Sequence, residues 1–176
     1  MRLTKQIKNK KSLTSNEIET YREEGLVIPK FRLPTNILTN LQNALEELIK
    51  NNPGVRPEKL ISAHVDKMTT EGVKGSSTFL QFAGYQEILD MVEDLIGTNI
   101  ILWGCHMFCK TSGDGLEVPW HQDGHYWPIR PLATCTAWVA LDFSTPENGA
   151  MRYIPASHRS HTHYTHYTDN SNRLVL

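Results

Sequence analysis

The feature that most limits how this chain can fold is a change of rhythm near Asn99. Before it, apolar residues recur at helical spacing; after it, short apolar and aromatic runs are punctuated by Gly/Pro turns. In LTSNEIETYREEGLVIP, Thr14 and Glu17 have the spacing of a capping box, and Gly25 suits the position just past a helix end. From Thr35 to Asn51, Ile37, Leu38, Leu41, Leu45, Leu48 and Ile49 fall on one helical stripe, and Asn52-Pro53-Gly54 ends it. QEILDMVEDLIG repeats the pattern with Ile88, Leu89, Met91, Val92, Leu95 and Ile96 before Gly97. These stripes read as core faces.

Beyond Asn99, NIILWGCHMFCK, EVPWHQDG, TCTAWVALDF and AMRYIPAS read as strands, with TSGDG and TPENG as turns. The expected fold is α+β, with N-terminal helices packed on an antiparallel sandwich or jelly roll. A jelly roll needs about eight strands, whereas four are legible, and RLVL opens a further apolar run at the chain end. The expectation is therefore one domain over 1–176, incomplete at its C-terminus. Residues 1–13 read as basic and flexible, 14–97 as mainly helical, and 98–176 as the front half of the jelly roll.

With 176 residues, the chain suits a single core, and a formal net charge of −1 argues against nucleic acid or a membrane surface as main partner. Arg2, Lys5, Lys8, Lys10 and Lys11 crowd the start and read as a solvated terminus. No apolar run approaches the roughly 18 residues that span a bilayer. Cys105, Cys109 and Cys135 match no zinc or redox spacing and read as reduced thiols. NRLVL is not a peroxisomal address, so the expected location is the cytoplasm. Oligomeric state is not legible.

The chemistry concentrates in PWHQDGHYWP, residues 119 to 128. Side chains alternate along a strand, so His121 and Asp123 share a face and Gln122 takes the other. An imidazole nitrogen and a carboxylate oxygen so placed can bind one metal ion. H-x-D alone is a weak signal, and a surface histidine beside a carboxylate is its plain alternative.

Several pieces together make a stronger pattern: His121 with Asp123, Tyr126-Trp127, Trp138, Glu147-Asn148-Gly149, and Ile154-Pro155-Ala156-Ser157-His158. In this combination the chain resembles the phytanoyl-CoA dioxygenase family. YREEGLVIP and LQFAGYQEILDMVEDLIG look like that family's opening helices, so the resemblance covers most of the chain. Ala156 departs from the family's usual glycine.

The resemblance implies a double-stranded β-helix (cupin-like jelly roll) that uses Fe(II), with 2-oxoglutarate and O₂ as co-substrates, and hydroxylates a small-molecule substrate, organic or acyl. Succinate and CO₂ would be co-products, and ascorbate is an optional addition. On that resemblance His121 and Asp123 are the metal ligands, while Trp138, His106 and Lys110 face 2-oxoglutarate. Gln122, His125, Tyr126 and Arg130 are the substrate contacts. Each secondary assignment has a plainer alternative: Trp138 as core, Lys110 as a solvated strand end, and His125, Tyr126 and Arg130 as a satisfied loop.

The family also uses a distal histidine ligand and, about a dozen residues later, an arginine for the far carboxylate of 2-oxoglutarate, a match for a planar bidentate donor. Neither is legible here. His161, His163 and His166, with Arg173 downstream, imitate them in a His-rich tract that can itself bind metal. Two alternatives stand beside the oxygenase. One is a catalytically inactive truncated jelly roll acting as a binding or assembly module. The other is a cupin-like metal-binding protein that uses the tail histidines.

Overall fold

The computed structural model describes residues 12–113, 115–131 and 133–167. The basic residues Arg2 to Lys11, Arg173 and the final RLVL lie outside them. Helix α1 spans Ser15–Glu24, α2 Thr35–Asn51, α3 Ser77–Ala83 and α4 Gln86–Ile96.

Local chemistry sets the helix ends. Thr14 and Glu17 form the expected capping box: the Thr14 N–H donates to Glu17 Oε2 at 2.8 Å, and the Glu17 N–H donates to Thr14 Oγ1 at 3.2 Å. Gly25 closes α1 in the left-handed region at φ 81°. At the other edge, the Asp94 carboxylate on α4 accepts the backbone N–H groups of Ser12 and Leu13, at 2.6 and 2.9 Å. That bond ties the start of α1 to α4.

The core lies against α2. Leu41, Ala44 and Leu48 meet Leu60, Ala63 and Val73 of the following loop and Phe79 of α3, all buried. The α2 stripe is thus a core face, with Leu41 and Leu48 fully buried and Leu45, Ile37 and Ile49 packed at its margin. The α4 stripe contributes no fully buried residue, and Ile96 is exposed. Asn52, which reads as a breaker, organises the loop. Its Nδ2 donates to the carbonyls of Leu48 and Lys74, and its Oδ1 accepts the Lys74 N–H, all within 2.9 Å. A buried amide with its donors and acceptor satisfied has its desolvation cost offset by those bonds.

The expected strands are not assembled into a sheet among the described residues. Among the described residues the isolated antiparallel bridges Leu60–Met107 and Met68–Lys74 occur, and Glu117 also takes part in a bridge. Among the described residues no strand ladder of a double-stranded β-helix is seen. Jelly-roll strands take their partners from segments distant in sequence, and among the described residues these runs form no ladder with one another. The consequence is apolar side chains left at the surface, with Ile101 90% and Phe143 93% exposed. Instead, the second half is pinned point by point to the helical half, mostly to the loop after α2. Cys105 O accepts the Ala63 N–H at 3.0 Å, and Leu60 O accepts the Met107 N–H at 3.1 Å. Glu58 Oε1, on a buried side chain, accepts the Leu116 N–H at 3.1 Å. Gln42 Nε2 donates to Leu141 O at 2.8 Å.

The Ile154-Pro155-Ala156-Ser157-His158 segment docks on the end of α1. Ala156 N–H donates to Glu24 O, and His158 Nε2 donates to Arg22 O, both at 2.9 Å. The imidazole of His158 packs over Gly25, where an added Cβ would lie 2.7 Å from its Nδ1. This motif, one of the pieces that carry the family resemblance, here works as a helix cap. Ala156 itself sits at φ 58°, in the left-handed region, which explains why glycine suits this position. Ala156→Gly is therefore expected to raise stability by about 0.5–1 kcal/mol, strain relief exceeding the entropy glycine adds to the unfolded chain. A denaturant midpoint lower than that of the parent chain would contradict this.

Candidate metal centre

His121 and Asp123 meet where the 115–122 segment runs into a turn. Gln122 keeps extended dihedrals, φ −113° and ψ 118°, but Asp123 opens a short 3₁₀ turn, Asp123–His125, rather than continuing a strand. The two side chains converge through that turn. His121 Nε2 lies 3.1 Å from Asp123 Oδ1, and His121 Nδ1 lies 2.8 Å from the carbonyl of Pro119.

A carbonyl only accepts, so Nδ1 carries the proton and Nε2 is the nitrogen turned toward the carboxylate. Two bases facing each other require a cation between them, either a proton on Nε2 or a metal ion. The Asp123 hydrogen bond, against the opposing effect of burial, holds the His121 pKa above its ordinary value. The donor set also fits a divalent ion. Two donors about 2.1 Å from one ion and at right angles are about 3 Å apart. The Pro119 carbonyl fixes the His121 tautomer, as outer hydrogen bonds do for imidazoles that bind metals.

The surrounding residues fall into two groups. His125, Tyr126 and His166 gather beside the pair. His125 stacks on His166 with ring centres 4.0 Å apart, Tyr126 meets both edge-on, and His163 stacks on His125 at 5.5 Å. Desolvation, then the proximity of His166 and His163, holds the His125 pKa below its usual value. Burial holds the His106 pKa below its ordinary value, against the Asp123 charge, which acts to raise it.

The others are engaged elsewhere. Lys110 Nζ donates to Gly149 O at 2.7 Å, holding the Glu147-Asn148-Gly149 turn. Arg130 donates to the carbonyls of its own loop, Ile129 at 2.7 Å and Trp127 at 3.4 Å. Both ends of the Gln122 amide are bonded to residues 162–164. Trp138, on an extended run, is 48% exposed and is not a core residue here. His166 uses both ring nitrogens, Nδ1 toward Tyr164 O and Nε2 toward the Gln122 N–H, which leaves it no lone pair for a metal. No group of three or more His, Cys, Asp or Glu able to hold a metal ion occurs among the described residues.

Sequence reasoning missed His64. Its Nδ1 is buried without a hydrogen-bond partner, and it lies close enough to His106 to act on it electrostatically. His64-Val65-Asp66 repeats the H-x-D spacing, the one signal that pointed to it. The three cysteines are free and partly buried.

A family model described as phytanoyl-CoA dioxygenase (PhyH) matches residues 21–173. The human protein "Phytanoyl-CoA dioxygenase, peroxisomal" is 27% identical over 84% of this chain and 48% of its own length. A Dictyostelium discoideum "Phytanoyl-CoA dioxygenase domain-containing protein 1 homolog" is 38% identical over 46% of the chain and 28% of its own. A Stutzerimonas stutzeri "Probable alpha-ketoglutarate-dependent hypophosphite dioxygenase" is 32% identical over 42% of the chain and 26% of its own. The chain spans about half the length of the mammalian relatives it matches. No solved structure matches it. Among the described residues no helix is long and apolar enough to cross a membrane.

Proposed function

The chain belongs to the phytanoyl-CoA dioxygenase family, and from that premise we propose an Fe(II)- and 2-oxoglutarate-dependent dioxygenase with His121 and Asp123 as two of its metal ligands. Its substrate would be a small organic or acyl compound. The observation that supports this most is the facing pair, His121 Nε2 and Asp123 Oδ1 at 3.1 Å, with the imidazole tautomer set by Pro119 O.

Fe(II), with 2-oxoglutarate and O₂, would supply the oxidation that replaces a substrate C–H by C–OH, releasing succinate and CO₂. The chain's own residues do the holding. Pro119 O keeps the Nδ1 proton in place, so that Nε2 stays a donor to the ion. His125 and Tyr126 wall one side, where they can orient substrate and keep water out. His106, within reach of the Asp123 charge, and Trp138 are proposed to face 2-oxoglutarate. Lys110 would join them only by leaving the Gly149 carbonyl, and Arg130 would contact substrate only by leaving its loop carbonyls. The third metal ligand and the arginine clamp that the family implies are assigned to none of the described residues.

The test is succinate formation from 2-oxoglutarate by the purified chain with and without Fe(II). Iron-dependent succinate, lost on chelation, is expected. Iron binding without succinate would sink the oxygenase reading and leave a metal-binding module.

A further inference from the structure

After the short 3₁₀ turn Ser157–Ser160, the chain returns across the His121–Asp123 turn and is fastened there by the residue between the two donors. Gln122 Nε2 donates to Thr162 O and Gln122 Oε1 accepts the Tyr164 N–H, each at 2.9 Å. A third bond comes back from the strap: His166 Nε2 accepts the Gln122 backbone N–H at 2.9 Å, across 44 residues of sequence. Tyr164 O takes the His166 Nδ1 proton at 2.9 Å, which fixes the tautomer that can accept. His125, two residues past Asp123, stacks on the same imidazole with ring centres 4.0 Å apart.

Gln122 has extended dihedrals but no ladder neighbour, so its N–H needs a partner from elsewhere. That N–H belongs to the peptide directly after His121. Rotation of this peptide would swing the His121 and Asp123 side chains apart, because they hang from the residues on either side of Gln122. Closing a loop of this length costs entropy, and three hydrogen bonds and a ring stack converge on one residue pair to offset it.

We propose that His166 is a positioning residue for the metal pair: its Nε2 fixes the peptide after His121 and so holds the two donor atoms facing each other. The inference rests on His121 and Asp123 being metal ligands, and His166 acts through Gln122 without touching the ion.

The experiment is a Co(II) titration of the full chain, followed by visible absorption, for the parent, His166→Phe, His166→Gln and His121→Ala. His166→Phe keeps a ring to stack on His125 but cannot accept a hydrogen bond. It should weaken Co(II) binding by about 10-fold or more, the range found when outer hydrogen bonds of a metal site are cut. His166→Gln, whose amide oxygen accepts, should recover much of that loss, and helix content by far-ultraviolet circular dichroism should not change. Co(II) binding by His166→Phe as tight as the parent's, with His121→Ala deficient, would overturn the positioning role alone. Absence of Co(II) binding in the parent chain would overturn the ligand assignment and this role with it.

Discussion

His121→Ala is expected to lower iron-dependent succinate formation by more than about 100-fold, the upper end of what cutting an outer hydrogen bond to a ligand costs. The substitution removes Nε2 itself, so the loss should exceed anything achieved by disturbing Pro119 or Gln122. Asp123→Ala should be as severe, because a single remaining donor cannot hold a divalent ion against water. The two changes should be strongly non-additive, since either alone empties the site. Neither residue reaches the buried core cluster, so the denaturation midpoint should move little. Equal losses of activity and stability would mean that the pair acts as a structural hydrogen bond, and succinate formation unchanged in His121→Ala would remove it from the site.

Leu48→Ala should destabilise the chain by about 2–5 kcal/mol. Leu48 is 2% exposed and lies in the cluster with Leu41, Leu60, Val73 and Phe79, so the change deletes apolar burial and leaves a cavity that helices on either side close only in part. The effect should reach the site. Leu60, in the same cluster, accepts the Met107 N–H, and Ala63 donates to Cys105 O. These two bonds seat the segment carrying His106. Denaturant unfolding followed by circular dichroism measures the loss, and a change under about 1 kcal/mol would show that the cluster closes around the gap.

What the sequence disclosed follows from range. Thr14, Glu17 and Gly25 act within a single helical turn, and the α2 stripe repeats over four, so both are legible without knowing what they pack against. The deep parts of the loop core are not. Leu60, Ala63 and Val73 are buried but lack a period, because a loop between two helices buries residues where its turns happen to face inward. Asn52 looks like a stop signal and turns out to be a hub, since its amide happens to face two carbonyls and an N–H.

At the site, the spacing of His121 and Asp123 was readable because residues two apart lie close in either an extended run or a tight turn. The expected strand was not what brought them together; a 3₁₀ turn does so. The roles of Lys110 and Gln122 depend on partners 39 and 40–42 residues away, and nothing local announces them. Likewise Ile154–His158 reads as a signature, while its contacts with Glu24 and Arg22 are made across more than a hundred residues of chain. The sheet itself is the largest difference: period-2 runs report a preference for extension, and only a neighbouring strand converts that into a ladder.

The most direct test of His121 and Asp123 as metal ligands is paramagnetic broadening of histidine ring protons on titrating Mn(II) into the full chain. His121 is expected to broaden first, with His125 and His106 following, and His121→Ala should abolish the effect. Broadening that centres on His161 or His163 and survives His121→Ala would place the metal on the tail histidines instead and contradict the assignment of His121 and Asp123.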